Sequence, residues 1–337
     1  VAADVVIAIN GAPDALEPNI RAFLSLSRYT TRSDLDDETM ARLERRIVPE
    51  TEKALEPLGF YEPKVEYDVQ HEGTRWTVTI NVDPGRPVRL SEVDIAVDGA
   101  GKDDARLQDI IERKELKPGL RLNHGVYDKV KADLLRTALN EGYFDAKYTA
   151  ADLSIDRKER RATATLTLET GQRYHFGKIT TVQDAINDKA MRKLLRMHEG
   201  DPYSADALLR SQYILDDSQY FSTVEIEPGE RDLDDLEVPL TVTARRNRRN
   251  RYAFGLGYAT DTQARGKLTW DDRIVNSDGH RFRLELLASA VVTQASFYYV
   301  VPVMDIALEK LEFTPSYKEE LAADTFSRSS SFTTGLT

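Results

Sequence analysis

Two hydrophobic periods divide the chain, and they meet at Arg251. Beyond it apolar residues recur at every second position. Tyr252, Phe254, Leu256 and Tyr258 alternate with Ala253, Gly255, Gly257 and Ala259. Leu268 and Trp270 follow among Arg265, Lys267, Thr269 and Asp271; then Phe282, Leu284, Leu286 and Ala288; then Ala295, Phe297, Tyr299 and Val301. Leu311, Phe313 and Tyr317 mark a further strand. Period two predicts strands. Asp261-Thr262-Gln263 and Asn276-Ser277-Asp278-Gly279 supply turn chemistry between them. One face is apolar and aromatic and the other charged or small, as in a barrel with lipid outside and water inside; a soluble antiparallel sheet also alternates.

Before Arg251 one pattern occurs three times, about 80 residues apart. Its marker is a glycine or polar residue followed by two aromatics: Gly59-Phe60-Tyr61, Gly142-Tyr143-Phe144 and Gln219-Tyr220-Phe221. Each follows a helical period and precedes two strand periods. In the middle copy, residues 88–97 read as a strand and 103–115 as a helix. Asn123 is the expected N-cap of a second helix carrying Val126, Val130, Leu134 and Ala138 on one face. Gly142 suits the left-handed position beyond its end, and strands are expected at 146–155 and 162–168. The order is β-α-α-β-β.

The first copy predicts a strand at 5–9, helices near 14–26 and 34–57, and strands at 65–69 and 76–82. Pro49 lies inside the second helical pattern, so the helix is expected to restart there, with Pro49 at N1 and Glu50 and Glu52 in its first turn. Asp34, Asp36, Asp37 and Glu38 favour a helix N-terminus. The third copy predicts a strand at 174–182, helices near 187–196 and 204–216 with Ser204 as N-cap, and strands at 223–226 and 238–243. Asp83-Pro84-Gly85 and Glu169-Thr170-Gly171 are matching short junctions. The expected domains are 1–84, 85–171, 172–246 and 247–337.

Composition narrows the chemistry. With 337 residues, 41% apolar, the chain can bury ordinary cores. A net charge of −11 argues against a nucleic-acid partner. No apolar run is long enough for a transmembrane helix, which leaves barrel strands open. There is no cysteine, hence no disulfide, thiolate zinc site or thiol nucleophile. The chain starts Val1-Ala-Ala-Asp, without initiator Met or leader, and so is expected to be processed or trimmed. The five histidines (71, 124, 175, 198, 280) show no metal-ligand spacing. Gly255-Leu256-Gly257 lacks the third glycine of a dinucleotide loop, and the acidic run 232–237 lacks the EF-hand glycine and reads as a hairpin turn. Neither a metal, a cofactor nor an enzyme is expected.

Three β-α-α-β-β units feeding alternating strands resemble the POTRA-plus-barrel outer-membrane insertases related to BamA, and among them the TamA family. The resemblance rests on residues 173–179 (Arg-Tyr-His-Phe-Gly-Lys-Ile), Glu199-Gly200-Asp201-Pro202-Tyr203, Ser218-Gln219-Tyr220-Phe221, and Gly257-Tyr258-Ala259-Thr260-Asp261-Thr262 with Asn276-Ser277-Asp278-Gly279-His280. It covers essentially the whole chain. BamA carries five POTRA domains and two-partner transporters two, so three favours the TamA family. The far half of such a barrel, with its loop motif, is not in this chain, and Pro49 and Pro57 make the first domain less regular than that family's.

The resemblance implies an α+β region of three POTRA domains in the periplasm, followed by the first strands of an outer-membrane barrel. It implies unfolded outer-membrane proteins or autotransporters as substrates, and an inner-membrane-anchored TamB-like partner on the first POTRA domain. Three groups are singled out. Tyr252, Phe254, Gly255, Leu256, Gly257 and Tyr258 form the strand that would close the barrel; its glycines allow close backbone approach, and a loosely held seam would accept a substrate strand by pairing. Arg245, Arg246, Arg248, Arg249 and Arg251 are candidates for anionic headgroups of outer-membrane lipid, against the plain alternative of a solvated linker. Asp145, Lys147 and Tyr148 open a strand expected to be a free sheet edge, which is a template for β-augmentation. The rival expectation is a passive outer-membrane channel or receptor with periplasmic binding modules.

Overall fold

The computed structural model describes residues 4–31, 35–259, 263–303, 310–322 and 325–336. Asp34, Thr260, Asp261 and Thr262, which enter the expectations above, lie outside the described residues. The chain divides into two compact units: residues 1–139 with 143–172, and residues 140–142 with 173–337.

The first unit holds two copies of one α/β module. In the first copy, β1 (Asp4–Asn10) lies parallel to β3 (Arg75–Asp83), and β2 (Lys64–Glu72) pairs antiparallel on the other side of β3. Alternation decides the faces: Val5 and Ile7 point the same way as Val78, Ile80 and Val82 and are buried. Two helices cover that face, α1 (Glu17–Phe23) and α2 (Asp37–Leu55), contributing Leu16, Ile20, Met40, Leu43, Ile47 and Leu55 to one core. Each such side chain contributes roughly 1.5–3 kcal/mol by leaving water.

The helices depart from the expected pattern in two places. The first ends at Phe23, and a short 3₁₀ turn (Ser25–Tyr29) follows. The second runs unbroken through Pro49, so the expected restart does not occur. Pro49 sits on the exposed side, where water can bond the carbonyl its missing N–H leaves free. The true N-cap is Asp36, whose carboxylate accepts from the Thr39 amide at 2.7 Å. Hydrogen bonds from the Thr39 hydroxyl and then its amide lower the Asp36 pKa.

The second copy repeats the plan with β4 (Arg89–Asp98), α3 (Ala105–Glu112), α4 (His124–Asn140), β5 (Lys147–Asp156) and β6 (Arg161–Glu169), in sheet order β4-β6-β5. Asn123 accepts from the Gly125 amide at 2.9 Å and so opens α4, whose Val130, Leu134 and Ala138 are buried. Gly142 adopts φ +86°, the left-handed value expected beyond the helix end.

The second unit begins with the third copy: β7 (His175–Val182), α5 (Asp188–Leu194), α6 (Ala205–Asp217), β8 (Phe221–Pro228) and β9 (Glu237–Arg246), ordered β7-β9-β8. Ser204 caps α6 through the Ala207 amide, and Phe176, Met191, Leu194, Leu215, Leu240 and Val242 are buried. Six antiparallel strands follow, each hydrogen-bonded to the next: β10 (Asn250–Ala259), β11 (Gln263–Asp272), β12 (Arg281–Ser289), β13 (Val292–Pro302), β14 (Lys310–Ala322) and β15 (Thr325–Leu336). The sheet is open in this chain: β10 and β15 each have one neighbour among the described residues. No helix among the described residues is long and apolar enough to cross a membrane, which says nothing of strands.

Candidate functional site: an open strand edge and its mount

Register turns the alternation of the last strands into two chemically distinct faces. Tyr252 lies opposite Trp270, Trp270 opposite Leu284, and Leu284 opposite Phe297. One row along, Phe254, Leu268, Leu286, Ala295 and Tyr317 align. Aromatic rings concentrate near one end: Tyr252 stacks on Trp270 at 6.3 Å, and Phe282 meets Trp270 edge-on at 5.5 Å. Such a girdle suits a membrane–water boundary. The Trp270 indole N–H donates to Asn250 at 2.9 Å, which satisfies its polar end.

The opposite face carries ion pairs. Lys267 Nζ lies 2.9 Å from Glu285, and Arg283 Nε lies 2.6 Å from Asp271. Charge on one face and aromatics on the other is the division that hydrocarbon and water impose.

The candidate seam is β10. Its side chains are the barest of the apolar face, Phe254 at 80% exposed and Leu256 at 95%; among the described residues only β11 flanks it. Gly255 and Gly257 belong to the polar face. A Cβ at Gly257 would lie 3.1 Å from Arg265 Nε, and one at Gly255 would lie 3.8 Å from Lys267 Cβ. Towards β11, Gly257 leaves room for the Arg265 side chain, whereas Gly255 meets Lys267 at ordinary contact distance.

The five arginines do not form one patch. Arg245 and Arg246 end β9 and are exposed, and Arg248 follows in the connection. Arg249 forks onto Asp272, its Nε 3.0 Å and 3.1 Å from the two carboxylate oxygens and Nη2 2.9 Å from one of them. That bond raises the Arg249 pKa further. Arg251 is already in β10, opposite Asp271.

In the second module, β5 is an outer strand of its sheet. It starts at Lys147, so Asp145 precedes it. Tyr148 turns inward, donating to the Lys131 carbonyl at 2.6 Å, and burial pushes its pKa up. The register slips between Tyr148 and Ala150, a bulge of the kind that discourages edge pairing.

One functional contact escaped the sequence reading. The third module grips the β11–β12 turn. Tyr220, 3% exposed, donates its phenol proton to the Gly279 carbonyl at 2.6 Å. Asn187, the N-cap of α5, donates through its carboxamide to Asp278 at 2.7 Å and through its amide to the Ser277 carbonyl at 2.8 Å. Lys193 reaches the Val303 carbonyl at 3.3 Å. Asn247 closes the chain connection, its amide donating to the Tyr220 carbonyl at 2.8 Å and its carboxamide to the Gln219 carbonyl at 3.1 Å. Tyr220 and the turn residues were each visible as markers in the sequence, but nothing local says that they meet.

Two histidines have aromatic partners: His71 stacks on Trp76 at 3.7 Å, and His280 bonds the Tyr299 phenol at 2.9 Å. Among the described residues no group of three or more His, Asp or Glu is placed to hold a metal.

Against known proteins, residues 6–84 match the family described as POTRA domain TamA domain 1. Residues 174–245 match the POTRA family described as surface antigen variable number repeat. Two segments of the chain thus match POTRA families, and about half of it is similar to a BamA sequence. The outer membrane protein assembly factor BamA of Buchnera aphidicola is 21% identical over 173 residues, covering 51% of this chain and 28% of the relative. A crystal structure of BamA from Haemophilus ducreyi lacking POTRA domains 1–3 superposes with a TM-score of 0.58 at 17% identity, over 72% of this chain and 46% of that one. CdiB from Acinetobacter baumannii aligns over 90% of this chain and 59% of its own, at 13% identity and a TM-score of 0.46. The chain spans less than half the length of the BamA proteins it matches. The fold is therefore that of POTRA-like modules followed by a large antiparallel sheet like that of the BamA barrel.

Proposed function

We propose that the chain works as a TamA-like outer-membrane assembly factor, with its α/β modules in the periplasm and its last six strands in the outer membrane. The observation that carries this is the sheet from β10 onward, an apolar and aromatic face opposed to an ion-paired one, in a chain that also holds POTRA-type modules. In hydrocarbon each unsatisfied backbone group costs several kcal/mol, so a barrel seam at β10 that opened would strongly favour pairing with an incoming strand. The modules would receive unfolded outer-membrane or autotransporter chains and pass them to this edge, and the free energy would come from the substrate's own folding. The match of residues 6–84 supports a TamB-like partner on the first module.

The chain has no cysteine, so a single cysteine at Gly255 or Leu256 is a clean reporter. Disulfide trapping against cysteines placed in an autotransporter's last strand is expected to give adducts with a strict odd–even register. A passive channel, which the ion-paired inner face would also suit, gives none; that outcome rejects the assembly reading.

A further inference from the structure

Where the first two modules meet, the first unit carries a groove of about 500 Å³. Its floor is Phe60, Leu90 and Leu116, all buried, and Leu120 stands at its lip, 37% exposed. The segment 117–122 builds the wall by pairing with the start of β4: Gly119 N donates to Leu90 O at 2.7 Å, Leu90 N to Leu120 O at 2.9 Å and Leu122 N to Val88 O at 2.9 Å. Arg89 and Arg121 face each other as the antiparallel pair enclosed by those bonds. In that register the amide and carbonyl of Arg121 point away from β4, and they meet no backbone partner among the described residues.

The charges at the rim are lopsided. Glu115, the groove's carboxylate, is held by Lys129 at 2.6 Å. The Arg121 guanidinium lies over the Phe60 ring at 5.3 Å, and Arg89 donates to the Gly119 carbonyl at 2.8 Å. Neither arginine meets a carboxylate among the described residues. Two cations without counter-ions, an apolar floor and an exposed backbone edge together specify one occupant.

We infer that this groove binds an extended polypeptide segment that alternates apolar and acidic side chains, its backbone against Arg121, its apolar side chains on Leu116 and Leu120, and its carboxylates on Arg89 and Arg121. The site lies apart from β10 and does not depend on the seam.

The test uses the intact protein in detergent micelles and two fluorescein-labelled ten-residue peptides, alternating leucine with serine and carrying two aspartates or two lysines. The aspartate peptide is expected to bind at least tenfold tighter. Arg89→Glu with Arg121→Glu is expected to reverse that preference, and Leu120→Asp to weaken both peptides. Reversal is a gain of binding, which misfolding cannot produce. Benzoylphenylalanine at position 120 is expected to crosslink the aspartate peptide. Equal affinity for the two peptides overturns the proposal, as does a crosslink competed by phosphatidylglycerol vesicles but not by unlabelled aspartate peptide, which would mark a lipid site.

Discussion

The Tyr220 phenol and the Gly279 carbonyl lie 2.6 Å apart, and the same ring fills the space that any side chain at 279 would need. A Cβ there would sit 2.8 Å from the phenol oxygen, and Gly279 already holds φ +84°. Tyr220→Phe should cost about 1–3 kcal/mol by leaving a buried carbonyl unbonded. Gly279→Ala should cost more, from backbone strain and the clash together. The double variant should cost less than the two singles added, because removing the hydroxyl makes room for the methyl. Urea midpoints of the four proteins check this; strict additivity would mean that the contact does not exist in solution.

Alkali gives a second reading of the same contact. Burial raises the Tyr220 pKa above its ordinary value of 10.0, with Arg281 opposing. A raised folded-state pKa means stability that is fully present below pH ~10 and lost as the pH climbs through the raised value, since the unfolded chain ionises first. Wild type should lose more stability between about pH 9 and 11 than Tyr220→Phe. Tyr148 and Tyr203 are also raised by burial, so some alkaline loss remains in the variant.

Much of this architecture was legible because local rules and packing agree. Asn123 and Ser204 carry out the capping their positions foretold, and the alternation from Tyr252 onward becomes a two-faced sheet. Pro49 misled because a single proline on a solvent-facing helical turn is outweighed by the buried stripe of Met40, Leu43, Ile47, Ala54 and Leu55. That Gly257 lies against Arg265 was not legible, because only the register brings the two together. The grip on the β11–β12 turn was hidden because its partners are far apart in sequence.

The threefold marker carries its own prediction. Gly59 and Gly142 adopt φ +88° and +86°, and the third copy forces Gln219 to φ +65°. A side chain in that region costs roughly 1–2 kcal/mol. Glycine's extra freedom in the unfolded chain takes back ~0.5–1. Gln219→Gly should therefore stabilise the protein by about 0.5–1 kcal/mol, read as a higher urea midpoint. The opposite change, Gly59→Ala, should destabilise it severely, because the new Cβ would lie 2.5 Å from the Leu122 carbonyl oxygen.

The arginines from 245 to 251 separate two uses of charge. Arg249 is committed to Asp272, whereas Arg245, Arg246 and Arg248 are exposed and no carboxylate partner is seen for them among the described residues. If that stretch lies on anionic headgroups, each free arginine should contribute about 1 kcal/mol, or roughly fivefold in partition. Arg245→Ala, Arg246→Ala and Arg248→Ala should then each weaken co-sedimentation with phosphatidylglycerol vesicles by about that factor, less so as salt rises. Arg249→Ala should leave partition nearly unchanged while loosening the connection between β9 and β10, read as faster proteolysis near Asn247. A uniform loss across all four variants would instead mean that the Arg249–Asp272 fork opens at the membrane.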